Sequence, residues 1–170
     1  MVAQFKYVES NQPMDNTRRT RTPCVGTCST TFGDRVCRGC KRFVHEVYHW
    51  NQYAVDDKVT VINRLEALIA EVVSDYLIIK NSAQLAQALK QMGVKFNDAL
   101  TPPSWLHRLA THPMPSTLTY ATLGIAPKPA YKKMPIQVLI KTIDRQFFER
   151  SEAWFERSFK SPSSPEVSKE

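Results

Sequence analysis

Residues 41–92 read KRFVHEVYHWNQYAVDDKVTVINRLEALIAEVVSDYLIIKNSAQLAQALKQM and contain neither glycine nor proline. A run this long without either breaker belongs to helices. Residues 41–51, with Phe43, Val44, Val47 and Trp50, read as a first helix. Asp56 or Asp57 can cap a second, longer one. Its apolar residues Ile62, Leu65, Ile69, Val72, Tyr76 and Ile79 alternate in steps of three and four, and Leu68, Val73 and Leu77 widen the stripe. That period buries one face of a helix. A third helix is expected to start at Asn81, with Gln84 placed for a capping box, and to stop at Gly93.

Towards the C-terminus, residues 101–135 hold seven of the 11 prolines and read as irregular chain. Short helices are expected near 104–110 and 117–123, and His107 and His112 there carry no spacing signal. A final amphipathic helix over 136–159 carries Ile136, Ile140, Ile143, Phe147 and Trp154. On its polar side Arg145 and Glu149 are one turn apart. The aromatics Phe147, Phe148, Trp154, Phe155 and Phe159 at helical spacing read as core before they read as a surface for stacking bases. The closing SPSSPEVSKE has the composition of a disordered tail.

Towards the N-terminus, residues 23–40 form a loop-rich segment with three of the five glycines, and residues 1–21 read as a polar tail. The first twenty residues contain no apolar stretch of the secretory kind, and no segment approaches the ~20 apolar residues of a membrane span. The expected compartment is therefore a reducing cytoplasm, with no membrane partner. The composition, 42% hydrophobic and 23% charged, is that of a globular protein. The net charge of +7, from 23 basic and 16 acidic residues, allows an anionic partner such as nucleic acid without requiring one.

All four cysteines, Cys24, Cys28, Cys37 and Cys40, lie in the glycine-bearing segment, spaced Cys-x3-Cys-x8-Cys-x2-Cys. A segment this short buries too little to order itself, so a staple is expected. Clustered thiols in a reducing compartment point to a metal centre, and four sulfur donors suit either one zinc ion or one iron–sulfur cluster. Arg35, Arg38, Lys41 and Arg42 are placed to favour thiolates, with Arg38, Lys41 and Arg42 the candidates for surrounding the ligands.

The string Pro23-Cys24-Val25-Gly26-Thr27-Cys28, then Cys37-Arg38-Gly39-Cys40-Lys41-Arg42, then Glu46, Trp50 and Arg64, resembles the bacterial four-cysteine family of unknown function DUF1289. Proteins of that family are usually labelled predicted iron–sulfur proteins, and the resemblance favours a cluster over zinc. It spans about residues 22–66 and says nothing of the residues beyond.

Residues 45–49, His-Glu-Val-Tyr-His, also match the H-E-x-x-H motif, in which two His bind zinc and the Glu activates water. Glu71 and Asp75 resemble the downstream ligands of one zincin branch. Against a protease stand the crowding of the motif against Cys40 and the lack of an upstream sheet to hold a peptide. His45 and His49 are better read as surface residues.

The expected architecture is mostly α, with a loop-rich four-cysteine module docked on a helical bundle. Its parts are a tail at 1–21, the module at 22–66, a helical extension at 67–160 and a tail at 161–170. The expected activity is metal binding through Cys24, Cys28, Cys37 and Cys40, structural or electron-carrying, with an unidentified protein or redox partner. A zinc-stapled nucleic-acid-binding or adaptor module is the competing reading, and the metalloprotease a lesser one.

Overall fold

The computed structural model describes residues 16–159, so both expected tails lie largely outside the described residues. The described chain is mostly α-helical, as expected. Its elements are α1 (Asn16–Arg19), α2 (Val44–Tyr48), α3 (Val55–Tyr76), β1 (Leu77–Ile79), α4 (Ser82–Gln91), α5 (Pro102–Leu109), β2 (Ile125–Pro127) and α6 (Ile136–Phe159). Asn16–Arg19, read as part of the polar tail, are a one-turn helix tied to α3, where Arg19 pairs with Glu66 and bonds Asn63 at 2.8 Å.

α3 organises the molecule because its stripe is apolar along its whole length. Ile62, Leu65, Leu68, Ile69, Val72 and Val73 are buried, and the helix packs on α5 and α6. The core is one cluster, from Trp50 through α3 and Leu106 of α5 to Leu139, Ile140, Ile143 and Phe147 of α6. Asp57 enters the third helical position rather than the cap, and its carboxylate accepts the Ala54 N–H at 3.2 Å. α5 begins on two prolines, whose missing N–H groups cost nothing there. Glu66 of α3 stands in for a cap, its Oε1 accepting from Thr101 N at 2.6 Å and Thr101 Oγ1 at 2.8 Å.

The expected start and stop of α4 are both found. The Asn81 side chain accepts the Gln84 N–H at 3.0 Å, and Gly93 turns the chain at φ +73°. The Gln84 side chain instead reaches Ala121 O at 2.6 Å, so the capping box is only half made. α6 spans the expected residues.

Three helix expectations fail. The helix read over residues 41–51 is only Val44–Tyr48, because the chain before it is held extended at Phe43 by the bridge to Val36. Leu77 and Ile79 leave the helical stripe, because the chain becomes extended at Leu77 and β1 pairs antiparallel with β2, Leu77 opposite Pro127 and Ile79 opposite Ile125. A three-residue apolar run is too short for periodicity to tell strand from helix. The segment 117–123 is turns rather than a helix. It leads into Gly124, at φ +64°, where a Cβ would sit 2.9 Å from Asn81 O. That close approach lets Gly124 O accept both Lys80 N and Asn81 N, which locks the sheet onto the start of α4.

Candidate metal centre

Cys37 and Cys40 sit on a hairpin turn. Val36 and Phe43 form its bridge, Cys37 N donates to Arg42 O at 2.9 Å, and Lys41 N donates to Cys37 O at 2.8 Å. Both cysteines are buried, whereas Cys24 and Cys28 are half-buried on the preceding loop. The two loops press together at Gly39, where a Cβ would lie 2.5 Å from Val25 Cγ2 and 2.7 Å from Thr27 O. Only glycine fits that gap. Cys37 Sγ lies 3.7 Å from Thr27 O, and Arg38 N donates to Ser29 Oγ at 2.8 Å, which closes the first loop over the turn.

The sulfurs are surrounded unequally. A hydrogen bond from the Cys40 thiol, against the pull of burial, brings Cys37 down to about 4, and N–H groups of Cys40, Ser29 and Gly39 assist. Cys40, the donor of that bond and buried, is pushed up, and the Arg42 charge only moderates the rise. Arg42 Nε donates to Cys40 Sγ at 3.3 Å, with its guanidinium stacked over Trp50 at 4.7 Å. Cys28 Sγ pairs with Thr30 Oγ1 at 3.0 Å, and Gly26 N–H approaches Cys24 Sγ at 3.4 Å. Among the described residues, no three His, Cys, Asp or Glu side chains are gathered as a metal site. The structure joins Cys37 to Cys40 and sets Cys24 and Cys28 on the adjoining loop. In chemistry the set fits a soft metal: four thiols, one already favoured as thiolate, beside backbone N–H groups.

Of the basic residues expected around the ligands, only Arg42 touches a sulfur. Arg38 pairs with Asp34 at 2.9 Å and lies over Phe148, and Arg35 pairs with Glu156 at 2.6 Å. Lys41 braces the turn from beneath. Its side chain is 0% exposed, and Nζ donates to Arg38 O at 2.7 Å, Gly39 O at 3.2 Å and Asp144 Oδ1. His107 Nε2 lies 3.2 Å from that ammonium and 3.0 Å from Asp144 Oδ1. Burial lowers the Lys41 ammonium below its usual value, opposed by Asp144. Burial likewise brings His107 down to about 4, so its imidazole is neutral near pH 7. Sequence reasoning missed His107 and Asp144, which lie 66 and 103 residues from Lys41. No local spacing could have found them.

The H-E-x-x-H residues have other work. Glu46 is buried, and its Oε2 accepts from Phe43 N at 2.7 Å and from Arg64 Nη2 at 2.6 Å. That arrangement caps α2 and occupies the carboxylate a protease would need as base. His45 packs its ring on Phe159 at 5.0 Å, and Glu71 and Asp75 both pair with Arg150 of α6. The aromatic stripe of α6 is divided: Phe147 is core, while Phe155 packs edge-on against Phe43 at 5.2 Å. No helix among the described residues is long and apolar enough to cross a membrane.

Residues 22–68 match the family model described as "Protein of unknown function (DUF1289)". The match takes in all four cysteines, Glu46, Trp50 and Arg64, and ends within α3. No curated protein and no solved structure matches the chain.

Proposed function

We propose that the DUF1289 domain at residues 22–68 makes this chain a metal-binding protein, holding one iron–sulfur cluster through Cys24, Cys28, Cys37 and Cys40. The observation that carries this reading is the packing of Gly39 onto Val25 and Thr27, which sets the Cys37–Cys40 turn directly against the Cys24–Cys28 loop. Four protein ligands leave no open coordination position, so the centre is structural or electron-carrying rather than hydrolytic. A cluster would supply one-electron redox chemistry, and a zinc ion a cross-link alone. The chain's own contribution is electrostatic. Arg42 donates to the Cys40 sulfur, Lys41 donates to the Arg38 carbonyl of the turn, and Gly26 offers its N–H to Cys24.

The test is anaerobic purification followed by a visible spectrum and counts of iron, sulfide and zinc per chain. The expected protein is brown, absorbs near ~400 nm and holds stoichiometric iron and sulfide. A colourless protein with one zinc replaces the cluster by a staple. A protein that takes up neither overturns the reading.

A further inference from the structure

Beside the cysteine turn, α3, α5, the Arg21–Pro23 segment and the chain after α4 border a cavity of about 220 Å³. Its floor is formed by the buried residues Cys40, His107 and Phe147, and its side wall by Phe96 and Trp105, whose rings lie 5.2 Å apart. Its solvent side carries the exposed Arg21 and Lys95. An apolar cavity of about 150 Å³ already accepts a benzene-sized body, so this volume suits a small molecule.

The charges around the cavity are unequally spent. Glu66 on the wall is neutralised by Arg19 and bonded to Thr101. Arg108 gives its N–H groups to the carbonyls of Lys95, Pro23 and Cys24. The side chains of Arg21 and Lys95 have no hydrogen-bond or ion-pair partner among the described residues. The cavity therefore has an apolar body, aliphatic on the α3 side at Ile62, Leu65 and Ile69 and aromatic at Phe96 and Trp105, and a mouth with two uncommitted positive charges.

We infer that this cavity binds a small aromatic monocarboxylate, its ring against Phe96 and Trp105 and its carboxylate between Arg21 and Lys95. The ligand would lie over Cys40, held by the rings and the two cations whether or not a metal is bound. Pocket shape selects the ring, and the two cations select the charge.

The test uses the full-length, ¹⁵N-labelled protein as purified, titrated with phenylacetate to about 10 mM at constant ionic strength. The signal is the indole N–H of Trp105, which donates to Asn97 O at 2.9 Å and is assigned with Trp105→Phe. Phenylacetate is expected to give a saturable shift with a Kd below about 1 mM, and neutral phenylacetamide to bind at least about tenfold more weakly. The double variant Arg21→Gln, Lys95→Gln alters only exposed side chains and is expected to bring the two Kd values within about twofold. A linear, non-saturating response to phenylacetate overturns the inference. So does equal binding of acid and amide by the unmodified chain, or an acid preference undiminished in the double variant.

Discussion

Lys41 combines two unfavourable states, a left-handed backbone at φ +60° and a fully buried ammonium. The backbone term alone costs a non-glycine residue on the order of 1–2 kcal/mol. Both are offset by one arrangement, since the turn aims Nζ at Arg38 O, Gly39 O and Asp144. His107 completes it as a neutral ring, which links the fold to pH. Its folded value near 4 lies below the 6.5 of a free histidine, so between those values the unfolded chain binds the extra proton. The His107 contribution is therefore fully present above pH 6.5 and is lost as pH falls towards 4, by up to roughly 3 kcal/mol. Urea midpoints measured from pH 7 down to about 4.5 should fall, and His107→Gln should flatten that slope; parallel slopes would refute the assignment. Gly39→Ala should cost about 1–3 kcal/mol in the same assay, because its methyl meets Val25 and the Thr27 carbonyl with no room to relax.

Among the elements, α2 is the most dependent on others. Five residues cannot hold a helix by propensity, so its order comes from Glu46, which accepts the Phe43 N–H and pairs with Arg64 of α3. Arg64 in turn lies over the Phe43 ring at 3.8 Å. Glu46→Ala would leave Arg64 buried without its partner and should cost about 3 kcal/mol in chemical denaturation. His49→Ala, at an exposed position whose ring bonds the His45 carbonyl at 2.9 Å, should change stability by less than ~0.5 kcal/mol and leave the metal content unaltered. Metal loss in His49→Ala with the cysteines intact would restore the H-E-x-x-H motif to consideration. α6 supports the same region from the other side, with Phe155 on Phe43 and Asp144 on Lys41.

At the scale of the molecule, the cysteine turn and the helical body share one support. α3 carries Arg64 towards the cysteine side and Ile62, Leu65 and Ile69 into the core, so damage to the body should reach the turn. Leu139→Ala in α6, at a side chain with no exposed surface, should cost about 2–5 kcal/mol. Unfolding followed at Trp50, beside the turn, and at Trp154, on α6, should then shift together in a single transition. Separate midpoints would show two independently folding parts.

What the residues alone determined was local. The breaker-free run and its alternating period specify α3, Asn81 and Gly93 bound α4, and four cysteines at close spacing mark the candidate ligands, because caps, turns and period act over a few residues. The strand at Leu77–Ile79 was illegible for the converse reason: only Ile125–Pro127, far along the chain, gives it a partner. The bracing of the turn by Asp144 and His107, the diversion of Glu46 from catalysis to capping, and the cavity beneath Arg21 and Lys95 were decided by tertiary structure. Each depends on side chains from separate elements meeting in low-dielectric surroundings, where an unpaired charge is costly and a partner must be found at any distance along the chain.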